Sequence, residues 1–339
     1  MNYVKFYTGN EISYAVDTYL DYGTRREVGP GLINDQIPIC VIESGDSVYD
    51  FLRKLPTIIK KIPESTEKAI LSTFLKERSA LTAFYNMANG NSWTDNRNWN
   101  RMDVPLHYWK GVSVRREMIL VAKKTTTYFT LGHVVKLDLS HNNMYEARDS
   151  DNGKISPRIG DLSELRVLNL GYNFLSGKIP NEIFKLTKLR ELYLHFNQLH
   201  GNISNNIGNL VLLEKLQLDH NKLTGPIPAS MGQLKALEVL CLHENNLDNG
   251  ASYAYRRVAR NPGLLLDEDK RKRNTYRRLF DRYKIQNPIP ECLADIPHLY
   301  KFYAYDNQLS GTLLPRIKER MNANNQWKLV DQQDDVKLT

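Results

Sequence analysis

The 339-residue sequence predicts an α/β solenoid preceded by a small α+β module. Two observations predict the solenoid. A Leu-x-Leu-x-x-Asn segment recurs, and its asparagines Asn173, Asn197, Asn221 and Asn245 follow one another at intervals of 24 residues. A Gly-x-Ile segment begins four residues after each of the first three asparagines. Because one such repeat cannot bury its own leucines, neighbouring repeats are expected to stack into a solenoid.

The first 64 residues match no repeat. Residues 4–7 and 12–16 have the pattern of a hairpin, and residues 38–42 have the pattern of a further strand. Ser47 is predicted to open an amphipathic helix. A long helix, over about residues 64–88, is then predicted to lead towards the repeats. These elements indicate a small α+β module.

Three tryptophans, Trp93, Trp99 and Trp109, follow the long helix. Large rings just before a repeat array are expected to form a hydrophobic lid on the first coil rather than a ligand site. The predicted organisation has four parts: a small N-terminal module (1–64), a helical and Trp-rich cap (65–133), the solenoid (134–320) and a C-terminal tail (321–339).

The repeat pattern is interrupted before its sixth copy, which gives a solenoid of about six coils. Asn307 follows Asn245 by 62 residues, which is 38 more than one repeat. Residues 287–299 match residues 225–237 position by position, so the extra residues form an insertion at 249–286.

The insertion carries seven of the eight net positive charges of the chain, with four acidic residues against eleven basic ones. The basic residues are Arg256, Arg257, Arg260, Lys270, Arg271, Lys272, Arg273, Arg277, Arg278, Arg282 and Lys284. Apolar residues at helical spacing within 276–283 predict a basic amphipathic helix packed beside the solenoid. This helix is either a structural element with a solvated basic face or a contact for an acidic protein. Nucleic acid and an anionic membrane surface are less favoured partners.

The repeat consensus resembles the leucine-rich repeat family, in its plant-type 24-residue class with an L-x-G-x-I-P signature, over about residues 78–320. The resemblance implies a curved solenoid whose concave sheet binds a protein partner. Residues 78–114 are similar to the N-terminal cap of these proteins in plants, algae and other protists. Secreted plant members usually carry paired cysteines in this cap, and this chain has none there.

Side chains that alternate with the strand leucines are predicted to project from the concave sheet. Aromatic side chains among them are expected to form two patches, one near Tyr172 and one near Tyr303. Exposed aromatic side chains on a rigid scaffold are typical binding anchors. The candidate partner-binding residues are Tyr172, Tyr193, His195, Phe196, Asp219, His220, Cys241, His243, Tyr303 and Tyr305.

Metal binding and catalysis are not expected. His195, Asp219 and His243 fall in one column on three successive coils, and two imidazoles with a carboxylate would suit zinc. An in-line row on a flat sheet does not enclose an ion, however, so we expect neither a metal nor another cofactor. The sequence also contains no P-loop, H-E-x-x-H, G-x-S-x-G or kinase catalytic-loop motif. Activity in residues 1–64 is disfavoured, because so short a segment offers a small core.

The three cysteines, Cys40, Cys241 and Cys292, form neither a disulfide framework nor a zinc motif. The first 20 residues lack the apolar core of a secretory signal. An intracellular, cytoplasmic location is therefore expected. The leading hypothesis is a non-enzymatic protein that binds a protein partner through the concave face. The alternative is a structural subunit docked through the basic insertion and the N-terminal module.

Overall fold

The computed structural model describes the following parts of the chain: residues 4–7, 39–42, 48–61, 66–101, 104–122, 127–145, 153–248, 288–309, 313–323 and 326–329. These parts contain three α-helices, α1 (Val48–Lys61), α2 (Thr66–Met87) and α3 (Pro315–Ala323). None of these helices is both long enough and apolar enough to cross a membrane.

Thirteen strands lie in the same parts of the chain. They are β1 (Val4–Tyr7), β2 (Ile39–Ile42), β3 (Val112–Ala122), β4 (Thr127–Asp138), β5 (Val167–Asn169), β6 (Glu191–Tyr193), β7 (His200–Asn202), β8 (Lys215–Gln217), β9 (Lys222–Gly225), β10 (Val239–Cys241), β11 (Asn246–Leu247), β12 (Lys301–Tyr303) and β13 (Trp327–Lys328).

Ten of these strands form one sheet in the order β1-β2-β3-β4-β5-β6-β8-β10-β12-β13. From β4 to β13 all neighbours are parallel. The first leucines of successive repeats, Leu168, Leu192, Leu216 and Leu240, lie side by side in this sheet and are almost completely buried. The fold is therefore an α/β solenoid, as the 24-residue period predicts.

A smaller parallel sheet, β7-β9-β11, forms a second edge of the solenoid. It begins where the Gly-x-Ile segments predict an extended edge. Gly201 and Gly225 lie in it with φ angles of 81° and 77°, a left-handed conformation that glycine adopts without strain. Short 3₁₀ turns return the chain to the main sheet, at Pro157–Asp161, Asn181–Lys185, Asn205–Asn209, Ala229–Gln233 and Glu291–Asp295.

The repeated asparagines join each coil to the one before it. Asn197 donates from Nδ2 to the backbone oxygen of Leu170 at 2.9 Å, and its Oδ1 accepts from the backbone nitrogen of Leu175 at 2.9 Å. Asn221 makes the same pair of contacts to Leu194 and Leu199. Buried backbone groups that the short strands leave unpaired are satisfied in this way.

The tryptophans form a buried lid, as predicted. Trp93, Trp99 and Trp109 are at most 5% exposed, and their rings contact one another in sequence at 4.9 and 5.1 Å. The guanidinium of buried Arg78, on α2, lies 4.9 Å from the Trp109 ring. Asn142 accepts a hydrogen bond from the backbone nitrogen of Asp95, which ties the lid to the first repeat.

The N-terminal strands extend the solenoid's own sheet. β1 pairs antiparallel with β2, and β2 pairs parallel with β3. Residues 12–16, predicted to pair with β1, lie outside the described residues. The helices predicted from Ser47 and over residues 64–88 correspond to α1 and α2. The core side of α1 contains Phe51, Leu52 and Leu55, which are all buried.

Two elements of the sheet are absent from the sequence prediction. The antiparallel pair β3–β4 connects the cap to the first repeat. At the other end β13 adds a parallel strand beside β12, and Trp327 is buried there against Phe302. The solenoid sheet thus continues into the segment predicted to be a tail. The predicted basic insertion, 249–286, lies outside the described residues.

Candidate binding surface on the concave sheet

The residue before each repeated asparagine has a left-handed backbone. These residues are His141, Tyr172, Phe196, His220, Glu244 and Asp306, with φ between 50° and 55°. Side chains other than glycine rarely adopt this conformation. Here hydrogen bonds between coils hold it, because Tyr172 and Phe196 donate from their backbone nitrogens to His195 and Asp219 of the following coil. The side chains of this row therefore project from a fixed backbone.

The rings in this row stack on one another across four coils. Tyr172 stacks on His141 at 4.2 Å and on Phe196 at 4.5 Å, with interplanar angles of 12° and 10°. Phe196 stacks in turn on His220 at 3.7 Å. Both faces of Tyr172 and Phe196 are thus covered by neighbouring rings, and their edges point outward.

The predicted second patch joins the first. His220 contacts His243 edge-on at 5.2 Å, and His243 stacks on Tyr305 at 4.7 Å. Tyr303 lies 6.0 Å from Tyr305 and 5.8 Å from His243. We call the continuous set the aromatic band, and its members are His141, Tyr172, Phe196, His220, His243 and Tyr305.

The candidate residues differ in exposure. Tyr172 and Phe196 are 43% and 36% exposed. Asp219, Cys241 and His243 are 6%, 2% and 9% exposed, so the prediction that they project freely from the sheet is wrong. The neighbouring strands explain the difference, because the short side chains of the middle coils lie between longer ones. Burial raises the pKa of the Cys241 thiol to about 11.

Tyr193 and His195 line the sheet beside the aromatic band. The Tyr193 hydroxyl donates to the Glu191 carboxylate at 3.1 Å, and burial, followed by Glu191, raises its pKa. His195 lies edge-on to Tyr172 at 5.0 Å, and burial lowers its pKa. Gly171 makes room for this ring, since a Cβ at Gly171 would lie 2.5 Å from the His195 Cε1 atom. This glycine is the sequence signal for the half-buried His195.

Acidic groups continue the row beyond the rings. His220 lies between two carboxylates, with Nδ1 3.1 Å from Asp219 Oδ2 and Nε2 2.9 Å from Glu244 Oε1. Glu244 and the exposed Asp306 occupy the same row position on the next two coils. The surface therefore changes from aromatic to acidic along the solenoid.

Comparison with known proteins agrees with this architecture. Residues 156–199 match a family model described as Leucine rich repeat, and residues 212–234 match a second model with the same description. The solenoid is a leucine-rich repeat domain. No curated protein matches the chain in sequence.

Several solved leucine-rich repeat structures are similar to this chain. The ectodomain of the receptor kinase SOBIR1 from Arabidopsis thaliana is 27% identical over 52% of this chain and 82% of its own, with a TM-score of 0.39. The plant peptide hormone receptor RGFR1, in complex with RGF2, is 26% identical with a TM-score of 0.37. That match covers 48% of this chain and 20% of the receptor chain, so the chain spans about a fifth of RGFR1.

A third similar structure is the ectodomain of GASSHO1/SCHENGEN3 from Arabidopsis thaliana, in complex with CASPARIAN STRIP INTEGRITY FACTOR 2. It is 22% identical over 74% of this chain and 26% of its own, with a TM-score of 0.45.

Proposed function

We propose that the protein binds a protein partner through the aromatic band of its leucine-rich repeat domain, without catalysing a reaction. The observation that carries this proposal is the continuous stack of rings across adjacent coils. Tyr172 and Phe196 are large, partly exposed and fixed at both faces by their neighbours. Solenoid repeats of this kind offer extended concave surfaces for partners.

The stack favours binding because its rings are already ordered. Immobilising a mobile side chain at an interface costs about 0.5–1.5 kcal/mol. A ring that is sandwiched in the free protein has lost most of that freedom already. The exposed edges of Tyr172 and Phe196 are therefore suited to the role of interface anchors.

The charge along the row supports a partner with two kinds of contact. Apolar side chains of the partner would cover the ring edges at Tyr172 and Phe196. Basic side chains would face Glu244 and Asp306 at the acidic end. Complementary charges of this sort set the orientation and association rate more than the affinity. Acidic partners of the basic insertion, and a cytoplasmic location in which Cys241 and Cys292 stay reduced, remain predictions from sequence.

The test compares two double variants that are matched in chemistry. Tyr172→Ala with Phe196→Ala removes the centre of the aromatic band. Tyr145→Ala with Phe174→Ala removes one tyrosine and one phenylalanine that are 39% and 51% exposed outside the band. Each protein is immobilised, and partners captured from extracts of the source cells are quantified by mass spectrometry.

We expect partners captured by the wild type to be retained by the Tyr145/Phe174 variant and lost by the Tyr172/Phe196 variant. For a purified partner the loss should be about 2 kcal/mol or more, which is about 30-fold in Kd. Equal capture by both variants, with unchanged thermal melting, would contradict binding through the band. The alternative of a structural subunit docked through 249–286 would then be favoured.

A further inference from the structure

Three side chains with metal-ligand chemistry converge on the concave sheet: Asp219, Cys241 and His243. All three are more than nine-tenths buried. One potential ligand atom from each lies within 4.8 Å of the corresponding atoms of the other two. The thiol, imidazole and carboxylate therefore form a compact cluster.

The strand register explains why these residues meet. Cys241 and His243 are two residues apart on one coil, so they project from the same face. Because β8 and β10 are parallel, with Cys241 opposite Gln217, Asp219 follows β8 at the position that His243 occupies after β10. The column argument that excluded a metal considered residues in one line. Cys241 lies in the adjacent column and turns that line into a triangle.

The imidazole of His243 has an unused ligand atom within this cluster. Its Nδ1 atom is buried and has no hydrogen-bond partner. Its Nε2 atom lies 3.9 Å from Asp219 Oδ2, beyond hydrogen-bonding distance. A buried polar atom without a partner costs free energy that a coordinate bond would recover.

We propose that Asp219, Cys241 and His243 form a binding site for a divalent transition-metal ion such as Zn²⁺. Cysteine, histidine and carboxylate are the ligand types that zinc uses. Three protein ligands leave a fourth coordination position for water or for a group of the bound partner. Upon binding, the thiol releases its proton to solvent, and thiolate and carboxylate together balance the charge of the ion.

The neighbouring groups fit this assignment. With bonds of about 2.0–2.3 Å, tetrahedral ligand atoms lie roughly 3.3–3.8 Å apart. Side-chain movements of about 1 Å would therefore close the cluster around an ion. His220 holds the Asp219 carboxylate at 3.1 Å and is itself held by Glu244 at 2.9 Å, an arrangement that orients a ligand from outside the coordination sphere. Lys301 is the nearby cation that opposes binding.

The test uses Co²⁺ as a spectroscopic probe of the purified full-length protein with reduced thiols. A thiolate bound to Co²⁺ gives a near-ultraviolet charge-transfer band, and tetrahedral coordination gives intense visible bands. We expect both sets of bands at one equivalent of Co²⁺, and we expect Zn²⁺ to displace them. Because no partner is present, this result is independent of the proposed partner-binding function.

Variants decide which residues bind the ion. Cys241→Ser should abolish the charge-transfer band, and Asp219→Asn should weaken binding about 10–100-fold. Cys292→Ser, which removes the other described free thiol, should leave the spectrum unchanged. Loss of the band in Cys292→Ser, or absence of any thiolate band in the folded wild type, would overturn the proposal. Visible bands without a thiolate band would also overturn it, because the ion would then bind the other cluster of ligand groups, His220, His243 and Glu244.

Discussion

A single asparagine side chain connects two coils of this solenoid. Asn197 donates to three backbone oxygens and accepts from the backbone nitrogen of Leu175, and it is 8% exposed. The sequence predicts this role because asparagine recurs at the end of every strand. The burial of Cys241 and Asp219 is less predictable, since it depends on the sizes of side chains from neighbouring coils.

We predict that Asn197→Ala destabilises the protein by about 2–4 kcal/mol, because several buried backbone groups lose their partners at once. Asn209 is exposed at the end of a 3₁₀ turn, and Asn209→Ala should change stability by less than about 0.5 kcal/mol. Urea unfolding followed by circular dichroism measures both values. Similar stabilities for the two variants would contradict the proposed role of Asn197 between the coils.

His195 should make stability depend on pH. Folding lowers its pKa, chiefly through burial. As the pH falls below about 6.5, the unfolded chain takes up a proton that the folded chain resists, so His195 reduces stability there and not at higher pH.

The His195→Gln variant should therefore lose less stability than the wild type between pH 7.5 and pH 5. His200→Gln, at an exposed position, removes a histidine without removing the half-buried ring. Thermal melting across this pH range compares the three proteins. A His195→Gln curve parallel to the wild type would show that the ring does not contribute.

At the scale of elements, the strands of the repeat follow directly from the sequence. Leu-x-Leu at a fixed interval specifies a short strand and its buried face. The pair β3–β4 and the terminal strand β13 have no repeat signal of their own. They occur because the first and last coils expose sheet edges and apolar surface, which adjoining segments cover. That covering depends on the assembled solenoid and cannot be found from local periodicity.

We predict that Leu194→Ala destabilises the protein by about 2–5 kcal/mol, since Leu194 is fully buried and its loss leaves a cavity. Leu212 provides the matched control, because it is 42% exposed on a turn of the same domain. Leu212→Ala should cost less than about 1 kcal/mol. Denaturant melts of the two variants would contradict the assigned core if Leu194→Ala cost less than half a kcal/mol.

At the scale of the whole molecule, one sheet runs from the N-terminal strand β1 to β13. The sequence predicts the middle of this sheet and divides its ends into a separate module and a tail. The structure instead joins those ends to the solenoid through β2–β3 and β12–β13 pairing. Long-range pairing of strands without a shared motif is the part that sequence periodicity does not encode.

Removal of residues 249–286 should leave the solenoid folded. Joining Asp248 to Asn287 restores the 24-residue interval, and Ile289 and Leu293 are fully buried where the next coil continues. We expect a soluble protein with a net charge lower by seven and weaker salt-sensitive association. Loss of cooperative melting in the deletion variant would show instead that the insertion belongs to the core.

The most direct test of the partner-binding surface is site-specific photocrosslinking. A photoreactive phenylalanine analogue is placed at Phe196, in the aromatic band, or at Phe174, which is exposed outside it. After illumination in extracts of the source cells, covalent adducts are identified by mass spectrometry. The proposal predicts a discrete partner adduct from position 196 and none of that mass from position 174. Adducts from position 174 alone would contradict binding through the concave sheet.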